Sequence, residues 1–337
     1  MRALRTLLIA GLIGLLVLGG VAVWSLQADS EDFAFVPRAA QPAIGVVELE
    51  GAAPPPAGAG KVYFTTVGVR RATVWETWFG VDGGQLVPEH AVQPHGETDE
   101  ERSRMDTLAM DDSQQAAEVV ALRALGYRVQ VRPAGIVIGG IDRTAPIASS
   151  GARLGDVIMA VDGRRTVETE ALREAIGRVG VDAGVDLGLH RGEEMLTVAT
   201  RTIRSERTGK PILGILPVQA HAVDAPRTVT YSVKGIGGPS AGLAFALQIY
   251  SAGRGYENLK GRKVAATGSL NMTGTVGPIG GVMEKAIGAK RAGAEILLVP
   301  WANADEARAA KVEGLRIIPV QNFTDAVRAI VVADEPA

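Results

Sequence analysis

The chain has 337 residues, 47% of them hydrophobic and 21% charged, which is enough for two or three domains with real cores. A formal net charge of −2 carries no basic signature, so no nucleic-acid role is expected. The absence of cysteine excludes disulfides, thiolate catalysis and zinc-finger ligand sets, and the histidines form no H-E-x-x-H pattern, so neither a metal ion nor a cofactor is expected.

Arg2 and Arg5 precede an uncharged run over residues 7–26, after which come Asp29, Glu31 and Asp32. The pattern predicts a transmembrane helix over residues 1–27. Its arginines would be cytoplasmic, and the bulk of the chain would lie outside the cytoplasm at the cell membrane. A cleaved signal peptide is the competing reading, but its apolar region is shorter as a rule, and Leu26-Gln27-Ala28 is a poor small-residue cleavage site. Residues 28–43 read as a tether and 44–126 as a β-rich segment. Strands over 45–49 and 61–69 flank an exposed loop with three consecutive prolines, Pro54, Pro55 and Pro56. The polar stretch 95–104 is expected to be solvated. Asp112-Ser113 is expected to cap a helix running through Ala116, Val119, Val120, Leu122 and Leu125 to a stop at Gly126.

Residues 127–203 change to short strands, a glycine-rich loop and one amphipathic helix over 169–179, closed by strands over 185–190 and 195–200. Asp162-Gly163 is a hairpin-turn signal in its own right. Gly151-Ala152-Arg153-Leu154-Gly155-Asp156-Val157-Ile158, followed by Val161-Asp162-Gly163, resembles the most recognisable stretch of PDZ domains. The resemblance implies a peptide ligand added as a strand in a groove beside the 169–179 helix. The usual G-L-G-F carboxylate loop is not recognisable, which leaves terminal-carboxylate recognition open. A small β domain that only spaces or restrains its neighbour is the plainer alternative.

After a polar linker, residues 211–332 alternate strands, over 212–218, 228–233, 263–266, 295–299 and 315–320, with helices after Ser240 and over 282–292, 304–312 and 323–329. This is a mixed α/β pattern, and the whole chain reads as multidomain α+β. Gly237-Gly238-Pro239-Ser240-Ala241-Gly242 is a glycine-rich turn opening a run, Leu243-Ala244-Phe245-Ala246-Leu247, too apolar for a surface helix. Ser240 therefore begins a buried helix. Its hydroxyl suits an N-cap. The same free N–H groups and helix dipole also suit the oxyanion of an acyl-transfer intermediate, with Gly238, Pro239, Ala241 and Gly242 forming the serine loop.

The stretch also fits G-x-S-x-G, but all four histidines, His90, His95, His190 and His221, precede it, so the order that needs a histidine after the serine fails. His190 or His221 acting from upstream is the remaining histidine reading. Lys285 is the alternative base. On a helix over 282–292 it shares a face with Val282, Ala286, Ala289 and Ala292. An ammonium among alanines is poorly solvated, which favours the neutral amine, and a neutral amine takes a proton from Ser240. A lysine stem that snorkels to water is the structural alternative.

Pro239-Ser240-Ala241-Gly242, Thr267-Gly268, Pro278-Ile279-Gly280-Gly281, Glu284-Lys285, Arg291-Ala292-Gly293 and Pro300, in that order and spacing, resemble the proteolytic domain of the Lon-type serine proteases. The resemblance implies Ser240 as nucleophile, Lys285 as base and Thr267 as a hydroxyl near the lysine. The whole arrangement resembles the bacterial membrane-anchored PDZ and Lon-type proteases, to which Val67-Gly68-Val69 and Ser113-Gln114-Gln115-Ala116-Ala117 are also similar. No G-x-x-x-x-G-K-[ST] occurs, so ATP-independent endoproteolysis of flexible or unfolded proteins is expected. A homo-oligomer is what the family resemblance implies. ATP-driven members commonly carry an aspartate three residues before the serine and a glutamate after Thr-Gly, where this chain has Gly237 and Ser269. Those departures motivate the rival expectation, a catalytically silent PDZ-based binding scaffold at the membrane.

Overall fold

A strand that is apolar end to end belongs inside a sheet covered on both faces, and Ile296–Pro300 is buried at every position. It lies in a five-stranded sheet ordered Gln41–Pro42, Lys61–Phe64, Lys263–Ala266, Ile296–Pro300, Arg316–Val320. The last four strands are mutually parallel and the first is antiparallel. The computed structural model describes residues 2–92, 98–233 and 235–332, with side chains for 11–92, 98, 101–233 and 235–331.

Alternation along the strands sends Val264 and Ala266 to one face of this sheet and Ala265 to the other. The first face carries the helix Gly242–Gly253, which is apolar all round and buried almost throughout. The second carries the helix Val282–Arg291, seated through Val282, Ala286 and Ala289. The serine helix and the lysine helix thus lie on opposite faces of one sheet.

A 26-residue helix, Asp99–Ala124, packs on the serine helix and places Met110, Ala117, Val120 and Ala121 in the same core. It starts at a reciprocal capping box, Thr98 with Glu101, so Asp112 and Ser113 lie in its interior and not at its cap. Its first turns are polar and lack the apolar stripe that marks the rest. Within the stretch expected to be solvated, residues 95–97 lie outside the described residues, and Asp99 onward is helical.

The expected strand over 61–69 divides in two. Lys61–Phe64 enters the parallel sheet, while Val67–Thr73 pairs with Asp29–Pro37, which in turn pairs with Gln85–Val87. Thr65 and Thr66 form the joint.

A second sheet is antiparallel, ordered Glu194–Arg201, Gly184–Arg191, Val157–Val161, Gln130–Ile141, Ile215–Asp224, with Arg164–Arg165 hairpinned onto Val157–Val161 through Asp162 and Gly163. Its own core contains Ile136, Ile138, Ile158, Leu172, Leu187 and Leu189. The edge strand Ile215–Asp224 pairs along the whole of Gln130–Ile141. Gln219 on that strand accepts from the Thr169 N–H at 2.9 Å and donates to the Val167 carbonyl at 2.9 Å, tying the strand to the start of the helix Thr169–Val179.

The N-terminal run forms one helix, Arg2–Gln27. Among the described residues no helix is long and apolar enough to cross a membrane. Residues 7–10 of the expected run lie outside the described side chains. The expected transmembrane anchor is therefore not supported.

Candidate active site

Ser240 sits in a 3-10 turn, Pro239–Ala241, that runs directly into the serine helix. Gly238 at φ 83° supplies the left-handed entry, and Pro239, which has no N–H to satisfy, suits the first position. The Ser240 carbonyl accepts from the Gly268 N–H at 2.9 Å and from the Thr267 hydroxyl at 3.3 Å. Thr267 is fully buried, so its hydroxyl is bonded to the serine turn.

The long helix closes on the turn from the other side. The Gly238 N–H donates to the Asp106 carbonyl at 2.9 Å, and the Ser113 hydroxyl donates to the Pro239 carbonyl at 3.0 Å. The approach explains Gly237 and Gly242: a Cβ on Gly237 would stand 2.8 Å from Asp106 Cβ, and one on Gly242 would stand 2.5 Å from Ser113 Oγ.

On the opposite face, Gly281 at φ 64° starts the lysine helix, and a Cβ there would stand 2.9 Å from Val67 Cγ2. Lys285 is 5% exposed. Burial pushes its ammonium down from 10.5 to about 8, against the raising pull of Glu284 and Glu306. At that value about a tenth of Lys285 is neutral at pH 7. Glu284 is 2% exposed with one carboxylate oxygen unpartnered among the described residues, and burial raises its carboxyl above the usual range.

Ser240 and Lys285 line one cavity of about 280 Å³ at the C-terminal ends of the parallel strands, beside Thr65, Thr66, Arg38 and Asp106. Among the described residues the Lys285 ammonium has no hydrogen-bond or ion-pair partner. An adjoining cavity of about 570 Å³ shares Val69, Arg102, Asp106 and Met110 with it, which extends the space into a trough. A weakened amine, a half-buried hydroxyl and the first N–H groups of a helix in one cavity are the parts that acyl transfer requires.

Thr65 and Thr66 have no counterpart in the sequence reading. Phe64 pairs with Ala266, so Thr65 follows on beside Thr267 at the strand ends. The hydroxyls of Thr65 and Thr66 are buried and have no hydrogen-bond partner among the described residues. The available signal was a pair of threonines ending an apolar strand directly ahead of Val67-Gly68-Val69. His190 and His221 lie on the second sheet, in Gly184–Arg191 and Ile215–Asp224, and neither lines the cavity of Ser240.

A family model described as the Lon protease (S16) C-terminal proteolytic domain matches residues 232–333, and a PDZ domain model matches 123–202. Both domains are present in this chain. Lon protease 2 of Bacillus subtilis is 38% identical over 97 residues, covering 29% of this chain and 17% of that protein. Lon protease 1 of Myxococcus xanthus is 37% identical over 102 residues, covering 29% of this chain and 12% of that protein. The chain thus spans less than a fifth of the length of these curated relatives. Among solved structures, the PDZ domain of the SdrC-like protein from Listeria monocytogenes is 20% identical with a TM-score of 0.24, covering 25% of this chain and 87% of that one.

The Lon-type match contains Ser240, Thr267 and Lys285 and supports a serine peptidase. Two elements that complete its site, the strand Lys61–Phe64 and the helix Asp99–Ala124, lie well before it in sequence. The PDZ match likewise ends before the edge strand Ile215–Asp224.

Proposed function

We propose that this protein is a serine endopeptidase in which Ser240 is the nucleophile and Lys285 the general base. The observation that carries the reading is the shared cavity: a buried, weakened lysine and a helix-start serine line the same space inside a Lon-type proteolytic domain. The neutral amine of Lys285 takes the Ser240 proton as Oγ attacks the scissile carbonyl. Backbone N–H groups at the start of the serine helix hold the oxyanion. The tetrahedral species collapses, the C–N bond breaks, and the lysine ammonium returns its proton to the leaving amine. Water then cleaves the Ser240 ester by the same route in reverse.

Substrates are flexible or unfolded polypeptides, cleaved without ATP. The PDZ domain recruits a peptide or gates the site, and its edge strand Ile215–Asp224 beside the helix Thr169–Val179 is where strand addition would occur. Assembly of several copies and placement outside the cytoplasm belong to the same reading. Cross-linking and protease accessibility in intact against lysed cells test them.

The deciding experiment incubates the full chain with unfolded casein in the absence of ATP, beside Ser240→Ala and Lys285→Ala. Cleavage that both variants lose is the expected result. Equal cleavage by all three removes the pair from the chemistry, and no cleavage by the parent, with peptide binding intact, favours the scaffold.

A further inference from the structure

A serine inside a helix usually bonds back to a carbonyl one turn earlier or faces water. Ser113 does neither. It is 1% exposed, and its hydroxyl donates to the Pro239 carbonyl at 3.0 Å, across 126 residues of sequence. The contact is close-fitting, since the backbone of Gly242 passes where any Cβ would stand 2.5 Å from Ser113 Oγ. Asp106, two turns earlier, holds the Gly238 N–H on its carbonyl at 2.9 Å. Seven residues separate the two, so both act from one face of the helix Asp99–Ala124.

The geometry of a peptide gives this contact a consequence. The Pro239 carbonyl and the Ser240 N–H belong to one planar trans unit and point in opposite directions. Anchoring the carbonyl on the long helix therefore turns the Ser240 N–H away from that helix. The following peptide plane is fixed as well, because the Ser240 carbonyl accepts from the Gly268 N–H at 2.9 Å and the Thr267 hydroxyl at 3.3 Å. Ser240 is held by both of its peptide planes, the following one from within the Lon-type domain, the preceding one by the Gly242 N–H inside that domain together with Ser113 from outside it. The first N–H groups of a helix have no partner within it, and Ser240 stands among them.

We propose that Ser113 is a positioning residue for the reaction at Ser240: its hydroxyl, through the Pro239 carbonyl, aims the Ser240 backbone N–H and side chain at the scissile carbonyl in the cavity shared with Lys285. The assignment rests on Ser240 as nucleophile. Ser113 keeps its proton throughout and forms no bond to substrate. The Pro239 carbonyl also accepts from the Gly242 N–H inside the turn, so loss of the Ser113 hydroxyl leaves it one of two bonds; the plane loosens, and a small misplacement of nucleophile or oxyanion donor lowers the rate of the chemical step while leaving the distant parts of the trough intact.

The test uses the full chain, an unfolded-peptide substrate and a peptide boronate that mimics the tetrahedral state. Ser113→Ala is expected to lower kcat about 10- to 100-fold, leave KM within about threefold, and weaken the boronate by a factor similar to the loss in kcat. Ser113→Thr and Ser113→Val form a second pair of nearly equal shape that differs by the hydroxyl, and the threonine variant should retain most of the activity that the valine variant loses. Parent-like kcat and boronate affinity in Ser113→Ala overturn the assignment, as does equal loss in the threonine and valine variants, which would trace the effect to packing volume. Cleavage by Ser240→Ala, run alongside, would instead sink the nucleophile on which the assignment rests.

Discussion

Replacing Lys285 with methionine keeps an unbranched buried side chain one atom shorter and removes its charge, so it separates what the lysine costs the fold from what it does for chemistry. A fall from 10.5 to about 8 is about 2.5 pH units, which at ~1.36 kcal/mol each is roughly 3.4 kcal/mol of disfavour for the ammonium inside the protein. Relaxation and local water reduce this, so a gain of about 1–3 kcal/mol is the reasonable expectation for Lys285→Met at pH 7. Below pH 8 the lysine is protonated in both the folded and the unfolded chain, and the folded state bears the whole cost. Between about 8 and 10.5 the folded chain has released a proton that the unfolded chain still holds, so parental stability rises with pH. Above that window the cost is gone. The methionine variant should therefore be more stable than the parent at pH 7, lose that advantage as pH rises from 8 to 10.5, and cleave nothing at any pH. Urea unfolding at pH 7, 9 and 10.5, with casein cleavage assayed in parallel, reads both effects. A variant less stable than the parent at pH 7, or an advantage that does not change with pH, would show that the ammonium is solvated and the burial argument wrong.

The activity of the parent follows from the same group. kcat/KM should climb about tenfold per pH unit below pH 8 and level off above it, because only the neutral amine accepts a proton; a flat profile between pH 6 and 8 would exclude Lys285 as the base. Glu284 raises the lysine from its neighbouring position, so Glu284→Gln should move that acid limb to lower pH, read from the same profile. Gly281→Ala forces a side chain into a left-handed backbone and against Val67, and should cost about 1–3 kcal/mol and at least tenfold in cleavage. Gly280→Ala meets nothing within 4 Å and should leave the unfolding midpoint unchanged. In the PDZ domain, Asp156 is 1% exposed and accepts from Arg191 at 2.7 and 2.8 Å and from the Arg153 N–H at 2.8 Å. Asp156→Ala should lower hydrogen-exchange protection of the strand Gly184–Arg191 by about 2–4 kcal/mol, and unchanged protection would refute a structural role for the pair.

What the sequence disclosed here is what is written in short range. The apolar run after Ser240 and the alanine stripe around Lys285 are local periodicities, and both became buried helices on the expected residues. The antiparallel sheet around Ile158 and Leu187 was announced by its turn at Asp162-Gly163. Long-range pairing leaves no such trace. Nothing near Lys61 says that it will pair with Lys263, and nothing near Ile215 says that it will edge the sheet of Gln130–Ile141 instead of joining the strands that follow it. Ser113 looked like a cap because the polar turns before it masked a helix already under way. Thr65 and Thr66 looked like the middle of a strand because the switch from one sheet to another happens there without glycine or proline. The N-terminal run shows the opposite limit: an uncharged run between Arg2 and Arg5 on one side and Asp29, Glu31 and Asp32 on the other predicted a membrane span that no described helix supports.

The parallel sheet has a consequence for the order in which the protein is made. Its strand Lys61–Phe64 is synthesised about two hundred residues before Lys263–Ala266, its parallel partner, and the PDZ domain emerges between them. A nascent chain stopped short of residue 263 therefore carries an open strand edge at Lys61–Phe64, and one stopped short of Gly242 also carries a long helix whose apolar face is uncovered. The long helix can clasp the serine turn as soon as it emerges, but the bonds from Thr267 and Gly268 come later, and a fragment that ends between Ser240 and residue 263 is still without its lysine and its central strands. On the proposed dyad, no fragment that ends before Lys285 can cleave a peptide, so the proposed peptidase is silent through most of its own synthesis.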